Sequence, residues 1–205
     1  MLNLIKKDLI ITKSYIIKML AFLIFFSFLF NNIDKHGLCV FCIYAVVNIF
    51  ISISFTYGEK AQEDYMLKSL PIKKKDVVLA KYTSVIIYFI AALILIYIVS
   101  FIVYILNFKD IIQIPKVTTI LFSLSMIFIS MAIQLPISFK LNYSKARILN
   151  GFIYCGTFGF LVSIYESNMD IIKLTFNNKV GLLSTILFII SSILSMKIYE
   201  KKESM

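Results

Sequence analysis

GLCVFCIYAVVNIFISISFTY, residues 37–57, runs without one charged side chain. GEKAQEDYMLKSLPIKKKDVVLAKY, residues 58–82, follows it with ten: Glu59, Lys60, Glu63, Asp64, Lys68, Lys73, Lys74, Lys75, Asp76 and Lys81. The first stretch is long enough to cross a hydrocarbon core of about 30 Å, which takes roughly 20 apolar residues as a helix. The second belongs at a membrane surface. Its acids come first, so that after the helix breaker Gly58 the carboxylates of Glu59, Glu63 and Asp64 fall in the first turns of a helix, where the macrodipole favours them. Asp64 and Lys68 make an i,i+4 pair in the favoured orientation. Pro71 ends this helix, because the residue before a proline is pushed out of the α region. Met66, Leu67 and Leu70 give the helix, residues 59–70, a small apolar stripe. A second helix opens at Lys73 to Lys75 and continues through Val77 and Val78 into the next apolar run. An acidic helix with apolar side chains, a proline and a basic helix together form a docking surface.

Composition extends this reading to the whole chain. Of 205 residues, 60% are hydrophobic and 16% charged, with a mean hydropathy of +0.90. Soluble domains carry about half and about a quarter respectively. The sequence therefore predicts an all-α integral membrane protein forming a single transmembrane domain. Six apolar runs are expected to span, at residues 15–31, 37–57, 83–106, 117–139, 148–165 and 180–198. Lys18 interrupts the first within a turn of its start, near enough to snorkel to the headgroups. Pro136 lies close to the end of the fourth.

Threading six helices back and forth puts Lys6, Lys7, Lys13, Lys18, the six lysines of 58–82, Lys140, Lys145, Arg147, Lys197, Lys201 and Lys202 on one side. Only Lys35, Lys109, Lys116, Lys173 and Lys179 fall on the other. The positive-inside rule then places both termini in the cytoplasm. Tyr15, Tyr57, Tyr82, Tyr143 and Tyr199 mark the inner interface, Tyr104 and Tyr165 the outer one. The net charge of +10 reads as attraction to anionic lipid of the inner leaflet. Nucleic acid is not an expected partner, since the basic residues are scattered over juxtamembrane loops instead of forming one face.

Residues 1–13 set Leu2, Leu4, Ile5, Leu9 and Ile11 against Lys6, Lys7, Asp8 and Lys13. They read either as a helix lying in the inner interface or as the basic flank of a signal anchor. No small-x-small cleavage site follows. His36, Cys39 and Cys42 have i, i+3, i+6 spacing, but the chain has no other histidine and the cysteines sit in an apolar helix. They are read as core residues, with no metal site. Asn48, deep in the second run, is expected to make an interhelical hydrogen bond, the alternative being contact with cargo.

No Asp, Glu, Arg or His stands near the middle of any run, which argues against proton- or ion-coupled transport. There is no H-E-x-x-H, G-x-S-x-G or G-x-x-x-x-G-K-[ST], so no catalytic residue and no P-loop nucleotide site is expected in this chain. Gly151, Cys155 and Gly159 recur at every fourth position and share one helix face, suited to close helix contact within one subunit or between two. Residues 167–179 are too apolar for a solvated linker, and read as a short helix dipping into the outer leaflet or a loop packed over the bundle.

Two stretches carry a family resemblance. DYMLKSLPIKKKDVVLAKY, residues 64–82, and LPISFKLNYSKAR, residues 135–147, resemble the leucine-proline-basic and proline-to-arginine stretches of ABC-2 type transporter permeases, in the small six-span group of bacterial exporters. Lys73 stands where a small hydroxyl residue is common after the proline pair, and Asn142 where a glycine is common. The resemblance implies a permease of the bacterial plasma membrane, working as a homo- or heterodimer, moving a peptide, drug or lipid-like substrate outward. It further implies that residues 59–70 form a coupling helix that docks on a separate ATPase subunit, which holds the ATP and Mg ion. Glu63, Asp64, Met66, Leu67, Leu70 and Pro71 would make that contact. The other reading of the same loop is a non-transporting immunity or assembly protein that binds its partner there.

Overall fold

The computed structural model describes residues 2–29, 35–62, 74–105, 115–141, 143–167 and 178–202. They form seven helices and no strand: α1 (Leu2–Lys13), α2 (Ile16–Leu29), α3 (Lys35–Lys60), α4 (Lys74–Ile105), α5 (Val117–Lys140), α6 (Tyr143–Ser167) and α7 (Asn178–Lys202). Four of them, α3, α4, α5 and α7, are long and apolar enough to cross a membrane, and α1 with α2 makes a fifth if that bent pair is one span. The chain is a multi-pass membrane protein. Helix α6 covers the fifth expected run, and its 25 residues reach about 37 Å.

Helix α3 is the centre. From Leu38 to Val47 every residue is buried, and α1, α2, α4, α5 and α6 all pack on it. The closest helix pairing is that of α5 with α7. The buried side of α7 carries the hydroxyl residues Ser184, Ser191 and Ser195, and Ser191 donates to the Ala132 carbonyl of α5 at 2.7 Å. Small side chains let two backbones approach where lipid supplies no hydrophobic drive to pair them. Between them Phe128 stacks on Phe188 with centroids 4.6 Å apart. Meanwhile Leu182, Leu183, Ile186, Ile190 and Leu194 point outward. Polar side in and aliphatic side out is the arrangement a lipid solvent favours.

Of the first expected span, residues 15–31, the structure describes α2, and a break separates it from α1. The turn at Ser14 and Tyr15, closed by Tyr15 N–H donating to the Thr12 carbonyl at 2.9 Å, bends α1 from α2 by 56°. Alone, the 14 residues of α2 reach only about 21 Å, short of a hydrocarbon core of about 30 Å.

Helix α1 also turns a different face inward from the one its apolar residues suggest. Asp8 and Thr12 are buried against the bundle, Leu4 packs on the core beside them, and Leu9 and Ile10 are exposed.

Candidate functional site

The charged stretch 58–82 is framed by the end of α3 and the start of α4. Glu63, Asp64, Met66, Leu67, Leu70 and Pro71 lie outside the described residues, so the structure characterises the frame of the expected docking helix. On the α3 side Gly58 does not break the helix, which runs on to Lys60. A helical glycine costs only about 1 kcal/mol, too little to end a helix supported by tertiary contacts, and Gly58 is buried. What ends it is Gln62, left-handed at φ 48°, with Ala61 N–H donating to the Tyr57 carbonyl at 2.9 Å and Gln62 N–H to that of Glu59 at 3.0 Å. Glu59 therefore stands in the last turn of α3, not the first turn of a loop helix.

On the other side α4 begins at Lys74, nine residues ahead of the expected start of the third span, with Asp76 in its favourable first turn. Val77 and Val78 are buried. One turn on, Lys81 points into the bundle. Its Nζ donates to Asp8 Oδ2 of α1 at 2.8 Å and to Ser54 Oγ of α3 at 2.6 Å, and it lies 5.0 Å from the centroid of the Phe55 ring. The Asp8 side chain is 2% exposed and that of Lys81 10%. Lys7 adds a longer contact of 3.6 Å to Asp8 Oδ1. The Tyr88 hydroxyl, two turns deeper in α4, lies beside Thr12 and Ser54.

This junction ties the two helices that bracket residues 63–73 to each other and to α1. The sequence reading placed Asp8 on the water side of an interfacial helix and counted Lys81 among the docking lysines, so it missed the pair. The available signal was that Asp8 is the lone acid of a basic segment, with Thr12 one turn on along the same face.

The remaining polar contacts lie within the spans. Asn48 donates to the Tyr44 carbonyl of its own helix at 2.9 Å, and among the described residues it makes no bond to another helix. The link to α6 is instead a hydrogen bond between the hydroxyls of Tyr44 and Thr157, with Tyr44 stacked on Tyr154 at 5.5 Å. Tyr82 of α4 meets both Ser191 and Ser195 of α7 at 2.8 Å, and Ser191 donates to the Ala132 carbonyl of α5 at 2.7 Å. Asn150 of α6 donates to Ser138 of α5 at 2.9 Å across the tight connection that follows Pro136. Pro136 is accommodated inside α5, which continues to Lys140.

The small-residue face of α6 looks away from the bundle. Gly151, Cys155 and Gly159 are all exposed, and a Cβ added at Gly151 or Gly159 would meet nothing within 4 Å. Cys39 and Cys42 are buried thiols lining a small apolar void of about 10 Å³ with Leu23, Leu38, Ile96 and Val99. No cluster of three metal-ligating side chains occurs among the described residues. The side chain of His36 and residues 168–177, which hold most of the expected external loop, lie outside the described set.

Compared with known proteins, residues 3–200 match the family model described as ABC-2 family transporter protein. No curated protein and no solved structure matches the chain.

Proposed function

Since this chain belongs to the ABC-2 family of transporter proteins, we propose that it is the permease subunit of an ATP-driven exporter. It crosses the bacterial plasma membrane six times with both termini in the cytoplasm and moves a peptide, drug or lipid-like substrate outward. ATP and its Mg ion are bound by a separate ATPase subunit. A second permease subunit completes the pathway, with the outward face at Gly151, Cys155 and Gly159 as the surface where the two would meet.

The observation that supports docking through residues 63–73 is the junction beneath them. A partner pushing on a loop does no work if the loop's ends give way. Here the last turns of α3 and the first turns of α4 are joined by Lys81, which holds Ser54 on one side and Asp8 of α1 on the other. A displacement of residues 63–73 is thereby passed to both spans at once. Met66, Leu67 and Leu70 supply apolar anchors, each contributing about 1.5–3 kcal/mol if fully buried in a partner's groove.

The test is Leu67→Asp with Leu70→Asp. The double variant inserts and melts like wild type, but loses pull-down of the ATPase subunit and cargo-stimulated ATP hydrolysis. Pull-down at wild-type yield would move the docking surface to residues 140–147 or to α1. A failure to capture any ATPase with the wild-type chain would favour the immunity or assembly reading.

A further inference from the structure

We propose that two Tyr-x-x-Lys turns, Tyr15 with Lys18 and Tyr57 with Lys60, form a binding site for the phosphate of one anionic phospholipid, with an acyl chain laid along α2. In each turn the i,i+3 spacing sets the lysine on the face of its own tyrosine: Lys18 Nζ is 4.9 Å from the Tyr15 centroid and Lys60 Nζ 5.6 Å from that of Tyr57. The fold then brings together turns that are 42 residues apart in sequence. The two rings meet edge to face with centroids 6.0 Å apart, and their hydroxyls are hydrogen-bonded to each other.

This arrangement leaves donors to spare. Two phenol groups have two hydroxyl hydrogens, and their mutual bond uses one. The other is available to a phosphate oxygen, beside two ammonium groups that are exposed and have no carboxylate partner among the described residues. Lys81 is the contrast, a cation fully engaged by Asp8 and Ser54. Lys18 and Lys60 are not needed to close any helix contact, so their charge is directed outward.

The choice of a lipid over a free phosphate comes from α2. Ile17, Ala21 and Phe25 are exposed at i, i+4 and i+8, forming one apolar track that begins beside Lys18. Ala21 is its low point between two large side chains. A soluble anion would use the cations and ignore the track, whereas a phospholipid uses both. The inference rests on the reading of α2 and α3 as membrane helices, and is independent of where the ATPase docks.

The test uses the purified full chain, titrated with phosphatidylglycerol and separately with phosphatidylcholine, adducts being counted by native mass spectrometry. Phosphatidylglycerol binding falls about tenfold in Lys18→Gln with Lys60→Gln, and severalfold in Tyr15→Phe with Tyr57→Phe. It is unchanged in the control Lys140→Gln with Lys145→Gln, and phosphatidylcholine binding is the same in all. Should the lysine double variant not fold, Lys60→Gln alone gives an intermediate loss. Equal loss in the control pair, equal retention of the two lipids by wild type, or displacement of bound lipid by millimolar inorganic phosphate overturns the proposal. Because only the permease is present, a negative result here leaves ATPase docking untouched, and the reverse holds for the pull-down.

Discussion

Lys81 and Tyr82 are neighbours on α4, about 100° apart around the helix, and they hold opposite sides of the molecule by different means. Lys81 joins α1 and α3 through one charged group and one carboxylate. Tyr82 joins α7 through two serines, one of which also reaches a carbonyl of α5. The charged junction is brittle, since removing Asp8 strands Lys81 in a place nearly closed to water, and removing Lys81 leaves the buried Asp8 only its longer contact to Lys7. The hydroxyl seam is redundant, since Ser191 keeps its bond to Ala132 whatever happens at Tyr82. A protein that must move one group of helices against another can do so along a redundant seam more readily than across a buried ion pair. The comparison predicts that α1, α3 and the N-terminal end of α4 move as one unit, with compliance between α4 and α7.

The largest effect expected is at the ion pair. Asp8→Asn lowers stability by about 3–5 kcal/mol, the cost of leaving one buried charge uncompensated, and Lys81→Met by somewhat less, because Lys7 stays 3.6 Å from Asp8. Asp8→Leu combined with Lys81→Met restores most of the loss, because an apolar pair of similar volume carries no desolvation penalty. The measurement is a double-mutant cycle on thermal melting in detergent, with strong positive coupling expected. Single variants that melt within a degree or two of wild type would show that the pair is incidental and the junction is held by packing alone.

How much of this was legible in the sequence depends on which solvent a face meets. The apolar parts of α4 and α7 follow from uncharged length, and α5, Val117–Lys140, differs from the expected 117–139 by one residue. Which face of each helix is buried was not legible by apolar periodicity, because lipid and protein core are both apolar and an isoleucine is at home in either. That is why α1 was read as an interfacial helix or a basic flank, and the burial of Asp8 against the bundle was missed. The informative letters are the small and polar ones. Ser184, Ser191 and Ser195 keep to one side of α7 and mark its packed face, just as Asp8 and Thr12 mark that of α1. Gly58 misled for a related reason: a glycine ends a helix only where the backbone also turns, and the turn is at Gln62. The site residues between 63 and 73 were chosen by chemistry and family likeness, and the structure describes their frame alone.

At the seam, Tyr82→Phe removes two hydroxyl contacts and is expected to cost about 1 kcal/mol, since interhelical hydrogen bonds in membranes average about 0.6 kcal/mol each. Ser191 keeps its bond to the Ala132 carbonyl, and Ser195 falls back on a carbonyl of its own helix, as other serines of this bundle do. A loss as large as that of Asp8→Asn would erase the distinction between brittle junction and soft seam. If the seam is also where movement occurs, Tyr82→Phe alters transport per ATP hydrolysed more than it alters melting, an effect the ion-pair variants do not share.

The smallest effect on the isolated subunit is expected on the third kind of surface, the outward face of α6, where Gly151, Cys155 and Gly159 are exposed. Gly159→Leu places four extra carbons where an added Cβ meets nothing within 4 Å. Replacing a helical glycine also removes a propensity penalty of up to about 1 kcal/mol, so the monomer should melt at or slightly above the wild-type temperature. Assembly is expected to respond in the opposite sense. If this face mates with a second permease, a leucine overpacks a contact that small residues made possible, at a cost of about 1–3 kcal/mol in each subunit that carries it. Melting of the monomeric fraction and the dimer yield in mild detergent, measured on one preparation, separate the two. A stable monomer with lost dimer places the interface on Gly151, Cys155 and Gly159. An unchanged dimer shows that this face meets lipid, and the pairing surface must then be sought among the exposed aliphatics of α4. A destabilised monomer contradicts the open space the structure shows at this position, and would mean that α6 closes on its own bundle during the transport cycle.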